Sequence, residues 1–114
     1  MARSLNFREF AQPKLHLTMN DAEGTELNVI APTVELVERL EANYDILVGT
    51  LRRADRESIS ETWKLAADLI SCNLEGIHVT VEDLKGRYRM SYEMLMAFLL
   101  EHIAFTKEIE AAKN

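Results

Sequence analysis

From about Tyr92 almost to the end of the chain there is neither Gly nor Pro, and apolar residues recur at helical spacing. Projected at about 100° per residue, Met94, Leu95, Phe98, His102, Phe105 and Ile109 form one stripe, while Met96, Leu99, Leu100 and Ile103 form a second on nearly the opposite side. A helix apolar on two faces must be covered twice, by the rest of its own chain or by a partner helix or second subunit, because large apolar patches rarely stay exposed. Methionine suits an intermolecular cover, since its unbranched, polarizable side chain adapts to varied apolar surfaces. Met96, Leu99, Leu100 and Ile103 are therefore the candidate residues for partner binding or self-association.

The rest of the chain divides by its punctuation. Lys14–Met19 alternates polar and apolar, which puts Leu15, Leu17 and Met19 on one face of a strand, and Thr25–Ile30 repeats the alternation. Between them Asn20-Asp21-Ala22-Glu23-Gly24 supplies short polar side chains for local hydrogen bonds and a Gly for positive φ, the chemistry of a hairpin turn. Pro32 stops the second strand and Thr33 caps a helix in which Val34, Val37, Leu40, Tyr44, Leu47, Val48 and Leu51 recur, until Arg52-Arg53-Ala54-Asp55-Arg56 breaks the pattern. Ser58-Ile59-Ser60-Glu61 matches a capping box, and Ile59, Trp63, Ala66, Ala67, Ile70 and Leu74 trace a second helix that Gly76 is placed to close. Thr80 caps a short helix ending near Gly86 or Tyr88, and Ser91 caps the last one. The expected fold is mainly helical α+β in one domain: an arm (1–13), a β-hairpin (14–30), and a helical part (33–114) of three longer helices and one short one.

The chemistry-bearing residues are scattered. His16 and His78 fall on extended segments and His102 on a helix, with no HExxH spacing and, three residues before His102, Leu99 in place of a Glu, and a lone helical His is expected to be partly buried and hydrogen-bonded rather than a metal ligand. Cys72 is the single cysteine, so no internal disulfide forms, and it reads as a small half-buried thiol. The glycines at 24, 49, 76 and 86 lie too far apart for a phosphate-binding loop, and the many acids read as solvated helix faces. No catalytic residue, metal or cofactor is expected. No apolar run approaches a membrane span, and the charged first residues do not read as a secretory signal, so the cytoplasm is the expected location.

A net charge of −6 argues against a broad nucleic-acid footprint. The stretch from Thr80 to Ser91 has the outline of a helix-turn-helix, which makes a small DNA-binding regulator the alternative. In that motif the following helix would read bases, yet its first turns, Tyr92 to Leu100, hold no Arg, Lys, Asn or Gln to read the major groove. Arg52, Arg53, Arg56, Lys85, Arg87 and Arg89 would meet phosphates only if clustered, and exposed Arg in loops is usually solvated.

Several segments together carry a family likeness. Asn6-Phe7-Arg8-Glu9-Phe10 with Pro13, the Leu15–Met19 strand with its Asp-containing turn, Val29-Ile30-Ala31-Pro32-Thr33 running into Glu35-Leu36-Val37, and Asn73-Leu74-Glu75-Gly76 followed by Val79–Leu84 and an apolar final helix around Ala97-Phe98 resemble the tail assembly chaperones of long-tailed, siphovirus-type phages and prophages of Gram-positive bacteria. The resemblance covers nearly the whole chain and rests on outline, since such proteins share no catalytic signature. It implies a non-enzymatic protein of the bacterial host cytoplasm that binds the tape measure protein, keeps it soluble, assists recruitment of tail tube protein and is absent from the finished virion. It also implies a frameshifted longer form of the same chain: Lys113-Asn114 permits an A-rich slippery heptamer over codons 112–114, which the nucleotide sequence of the gene tests directly.

Overall fold

The computed structural model describes residues 2–7, 13–43 and 56–112. Two antiparallel strands, β1 (Leu15–Thr18) and β2 (Glu26–Val29), lead into helices α1 (Val34–Ala42), α2 (Arg56–Ile70) and α3 (Tyr92–Ala112), with a π-helical turn at Asp83–Arg87 between the last two. The architecture is the mainly helical α+β arrangement that the sequence predicts. The continuation of the first helix through Tyr44, Leu47, Val48 and Leu51 falls outside the described residues.

The hairpin forms as its residues require. Leu15 pairs with Val29 and Leu17 with Leu27, so one face carries Leu15, Leu17, Leu27 and Val29 inward while His16 and Thr18 stay exposed. Asp21 builds the turn: its carboxylate accepts from the Thr25 N–H at 2.7 Å and from the Thr25 hydroxyl, and Gly24 takes φ +60°, a conformation that costs other residues a Cβ clash. These bonds hold the Asp21 carboxyl below its ordinary pKa.

Thr33 accepts the Leu36 N–H at 3.3 Å and so starts α1, as its type predicts. The face that α1 buries differs from the expected one: Leu36 and Leu40 are inside, Val37 is half-buried and Val34 is 76% exposed. An ion pair, Arg39 Nη1 to Asp68 Oδ2 at 2.7 Å, joins α1 to α2. Both ends are partly solvated, so it adds at most about 1 kcal/mol.

The second helix is longer at its start and shorter at its end than its pattern predicts. It begins at Arg56, ahead of the Ser58 capping box, and stops at Ile70 rather than running through Leu74. The reason is tertiary. Residues 72–74 leave the helix to pair with the free edge of β2: the Ile30 N–H donates to the Cys72 carbonyl at 2.9 Å and the Leu74 N–H to the Asn28 carbonyl at 3.0 Å. Asn73, 7% exposed, fastens the corner; its Nδ2 donates to the Ile70 and Ile77 carbonyls, each at 2.8 Å, and its Oδ1 accepts the Ile77 N–H at 2.9 Å. Glu75 adds two bonds from Asn28, at 2.8 and 2.9 Å, which keep its carboxyl below the usual range. Gly76 takes the predicted positive φ of +69°, but within this corner instead of at a helix end. Asn73→Ala removes three hydrogen bonds at once, one of them buried and two partly buried, and is expected to cost about 2–3 kcal/mol, read by urea denaturation.

Thr80 and Asp83 cap the next helical turn reciprocally, each backbone N–H donating to the other's side chain at 3.1 Å. These bonds lower the Asp83 pKa. The turn then widens, with the Tyr88 N–H reaching back to the Asp83 carbonyl at 2.9 Å, and Arg89 adopts φ +48° before Ser91 caps α3 by accepting the Met94 N–H at 3.1 Å. One apolar cluster connects all of these pieces: Met19 and Leu27 from the hairpin, Leu36 and Leu40 from α1, Trp63, Leu65, Leu69 and Ile70 from α2, Leu84 and Tyr88 from the π turn, and Leu95, Phe98 and Leu99 from α3.

Candidate functional site

The last helix is the place to look, because the chain covers it unevenly. Measured round the helix from the fully buried Leu95, at about 100° per residue, Leu99 lies at about 40°, Ile103 at about 80°, Met96 at about 100° and Leu100 at about 140°. Burial falls in the same order: Leu99 is 0% exposed, Ile103 and Met96 are half-buried against the core, and Leu100 is 58% exposed. The predicted second stripe is thus the flank of α3, running from core to solvent. Leu99 belongs to the chain's own core, which corrects its place among surface contacts. Its small angular offset from Leu95 is the reason.

Beyond Leu100 the exposed face continues through Ala97 and Ala104, bordered by Glu93, Glu101, Lys107 and Glu108. Small side chains there permit close approach by another helix, with Leu100 as the one large apolar contact. The outer surface of α3 is therefore Leu100 flanked by Met96 and Ile103, set in a low, alanine-lined ridge with acidic margins.

The first stripe is closed along its middle, while Met94 at one end is 36% exposed and Ile109 at the other is half-buried. Leu95, Phe98, His102 and Phe105 are buried, with the His102 ring edge-on to Phe98 and Phe105 at centroid separations of 5.7 and 5.5 Å. His102 is 0% exposed and neither ring nitrogen has a hydrogen-bond partner among the described residues, whereas a hydrogen-bonded His was expected. Burial disfavours the imidazolium and lowers the pKa from 6.5 to about 4.

Elsewhere the polar groups serve the fold. His16 lies 3.5 Å from Glu26 across the hairpin. Cys72 is half-buried, as predicted, and desolvation raises its pKa. Lys85 stands over the Trp63 ring at 5.0 Å and Arg87 over Tyr88 at 5.3 Å, contacts that seat both cations on their own chain. Arg52 and Arg53 fall outside the described residues. Among the described residues no three His, Cys, Asp or Glu side chains gather as a metal site, and no helix is long and apolar enough to cross a membrane. No family model, curated protein or solved structure matches the chain.

Proposed function

We propose that this protein is a tail assembly chaperone of a long-tailed phage or prophage: it binds the helical, apolar tape measure protein through the outer flank of α3, keeps it soluble and assists recruitment of tail tube protein. The observation that carries the reading is the position of Leu100, 58% exposed in the middle of a 21-residue helix whose other side is anchored in the core. A rigid, well-anchored helix that presents one large apolar side chain between half-buried Met96 and Ile103 suits side-by-side packing with a partner helix. Exposed Ala97 and Ala104 let the backbones approach, and the acidic margins keep the free protein soluble. The resemblance in the hairpin, the Asn73–Gly76 corner and the apolar final helix supplies the identity of that partner.

The test is a pull-down of the tape measure protein by the immobilised chain. Leu100→Glu places a charge in the contact and is expected to weaken capture at least about tenfold, the equivalent of about 1.4 kcal/mol. Capture undiminished by Leu100→Glu would remove this face from the binding surface.

A further inference from the structure

The hairpin keeps one edge open. Residues 72–74 occupy the outer edge of β2 through the bonds from the Ile30 N–H to the Cys72 carbonyl and from the Leu74 N–H to the Asn28 carbonyl. Asn28 and Ile30 thus turn their backbone groups away from β1, which leaves Leu27 and Val29 to exchange bonds with Leu17 and Leu15. His16 and Thr18 in turn direct their backbone N–H and C=O groups outward from β1, and none of the hydrogen bonds among the described residues uses them. Native sheets protect such edges with a proline, a lysine or a bulge within the strand. β1 has none of these: its register runs unbroken from Leu15 to Thr18, and Pro13 and Lys14 stand just ahead of it.

The apolar face of the sheet also runs out of cover at this edge. Leu27 and Val29 are 0% exposed, whereas Leu15 and Leu17 are only half-buried. Beside β1, on the side away from β2, lies a recess of about 130 Å³ whose walls include Leu17, Met19, Tyr88, Met90, Met94 and Phe98, and no residue of β2 lines it. It sits at the turn end of the strand, and Leu15, at the other end, does not border it. A strand added to β1 lies over this recess and must bring apolar side chains on the inward face and polar ones on the outward face. β1 has that alternation itself. Paired antiparallel with a second β1 about Leu17, it sets Leu17 opposite Leu17, Leu15 of each copy opposite Met19 of the other, and His16 opposite Thr18. Each Leu15 then comes down at the recess of the other copy. No like charges meet, because Lys14 falls opposite Asn20.

We propose that two copies of this chain pair through β1, antiparallel and centred on Leu17, joining their hairpins into one continuous sheet. His16 and Thr18 of each copy exchange backbone hydrogen bonds with Thr18 and His16 of the other, and Leu15 of each packs into the recess beside Met19 of the other. The contact uses the same edge of both copies and so closes at a dimer. A strand of 4 residues makes a small interface, and the dissociation constant is expected on the order of tens of micromolar or higher. The pairing does not rest on the chaperone reading, because Leu100 lies outside it.

Sedimentation equilibrium across a concentration series reads the pairing as a rise in mass from 13.0 kDa toward twice that value. Thr18→Pro removes an outward N–H without breaking a β1–β2 bond, and His16→Lys combined with Thr18→Lys sets like charges opposite each other at two exposed positions. Each is expected to raise the dissociation constant at least about tenfold, with urea unfolding as the check on the fold; the lysine variant carries the test if the proline unfolds the chain. Leu100→Glu is expected to leave the pairing unchanged. In a Cys72→Ser background, chains carrying His16→Cys mixed with chains carrying Thr18→Cys should oxidise to a disulfide faster than either alone, since only the mixed pair stands directly opposite. A monomer up to about 1 mM, which would leave the edge to an extended segment of a different protein, overturns the proposal. So does a dimer that the β1 variants leave intact, one that Leu100→Glu dissolves, or a disulfide that forms no faster in the mixture.

Discussion

Leu99→Glu is expected to unfold the protein, whereas Leu100→Glu one residue later leaves its stability within about 0.5 kcal/mol. The two side chains differ in sequence by nothing that composition reveals, but in the fold Leu99 is 0% exposed and Leu100 58%. Inside the core a carboxylate has no partner, and its burial costs several kcal/mol against a typical total stability of about 5–15 kcal/mol. Leu99→Ala, which leaves only a cavity, should cost about 2–5 kcal/mol. Urea unfolding followed by circular dichroism separates the outcomes. Unfolding by Leu100→Glu as well would place Leu100 in the core and remove the proposed binding surface with it.

The second large effect is on pH. A His whose folded pKa lies below its unfolded one is protonated first in the unfolded chain, so stability is complete above the unfolded value and falls as pH drops toward the folded value. For His102 these values are 6.5 and about 4, which correspond to a loss of about 2 kcal/mol between pH 7 and pH 5 and about 3 kcal/mol by pH 4. Asp21, Glu75 and Asp83 have pKa values lowered by their hydrogen bonds; their contributions are lost as pH falls from the unfolded carboxylate range downward, so the interval between pH 7 and pH 5 isolates His102. His102→Leu keeps the volume and removes the titration. It is expected to flatten stability between pH 7 and pH 5 and to leave the protein at least as stable at pH 7, since an imidazole without partners is costly to bury. An unchanged slope in the variant would show that His102 is not closed off from solvent.

What could be read from the residues was what short-range chemistry determines. The hairpin followed from a two-residue alternation and a turn with Asp21 and Gly24, and the helix starts at Thr33, Thr80 and Ser91 from side-chain oxygens placed to bond nearby N–H groups. The end of α2 was not legible, because Leu74 continues the helical period and only the pull of the β2 edge on residues 72–74, with Asn73 locking the corner, decides against it. The π turn escaped for a related reason: its widened bonds end in a positive φ at Arg89, a residue type that gives no warning of it. On α3 the two apolar stripes were legible, but how far the chain wraps round the helix was not. The angle between Leu95 and Leu99 is small enough that covering one covers the other, and Leu100 is left as the exposed edge.

The soluble fraction of the tape measure protein when co-expressed with this chain tests the central claim most directly. With the wild-type chain the long helical protein should move from the pellet into the supernatant, and with Leu100→Glu, folded and expressed to the same level, it should return to the pellet. Equal insolubility with and without the wild-type chain would contradict the chaperone function proposed here.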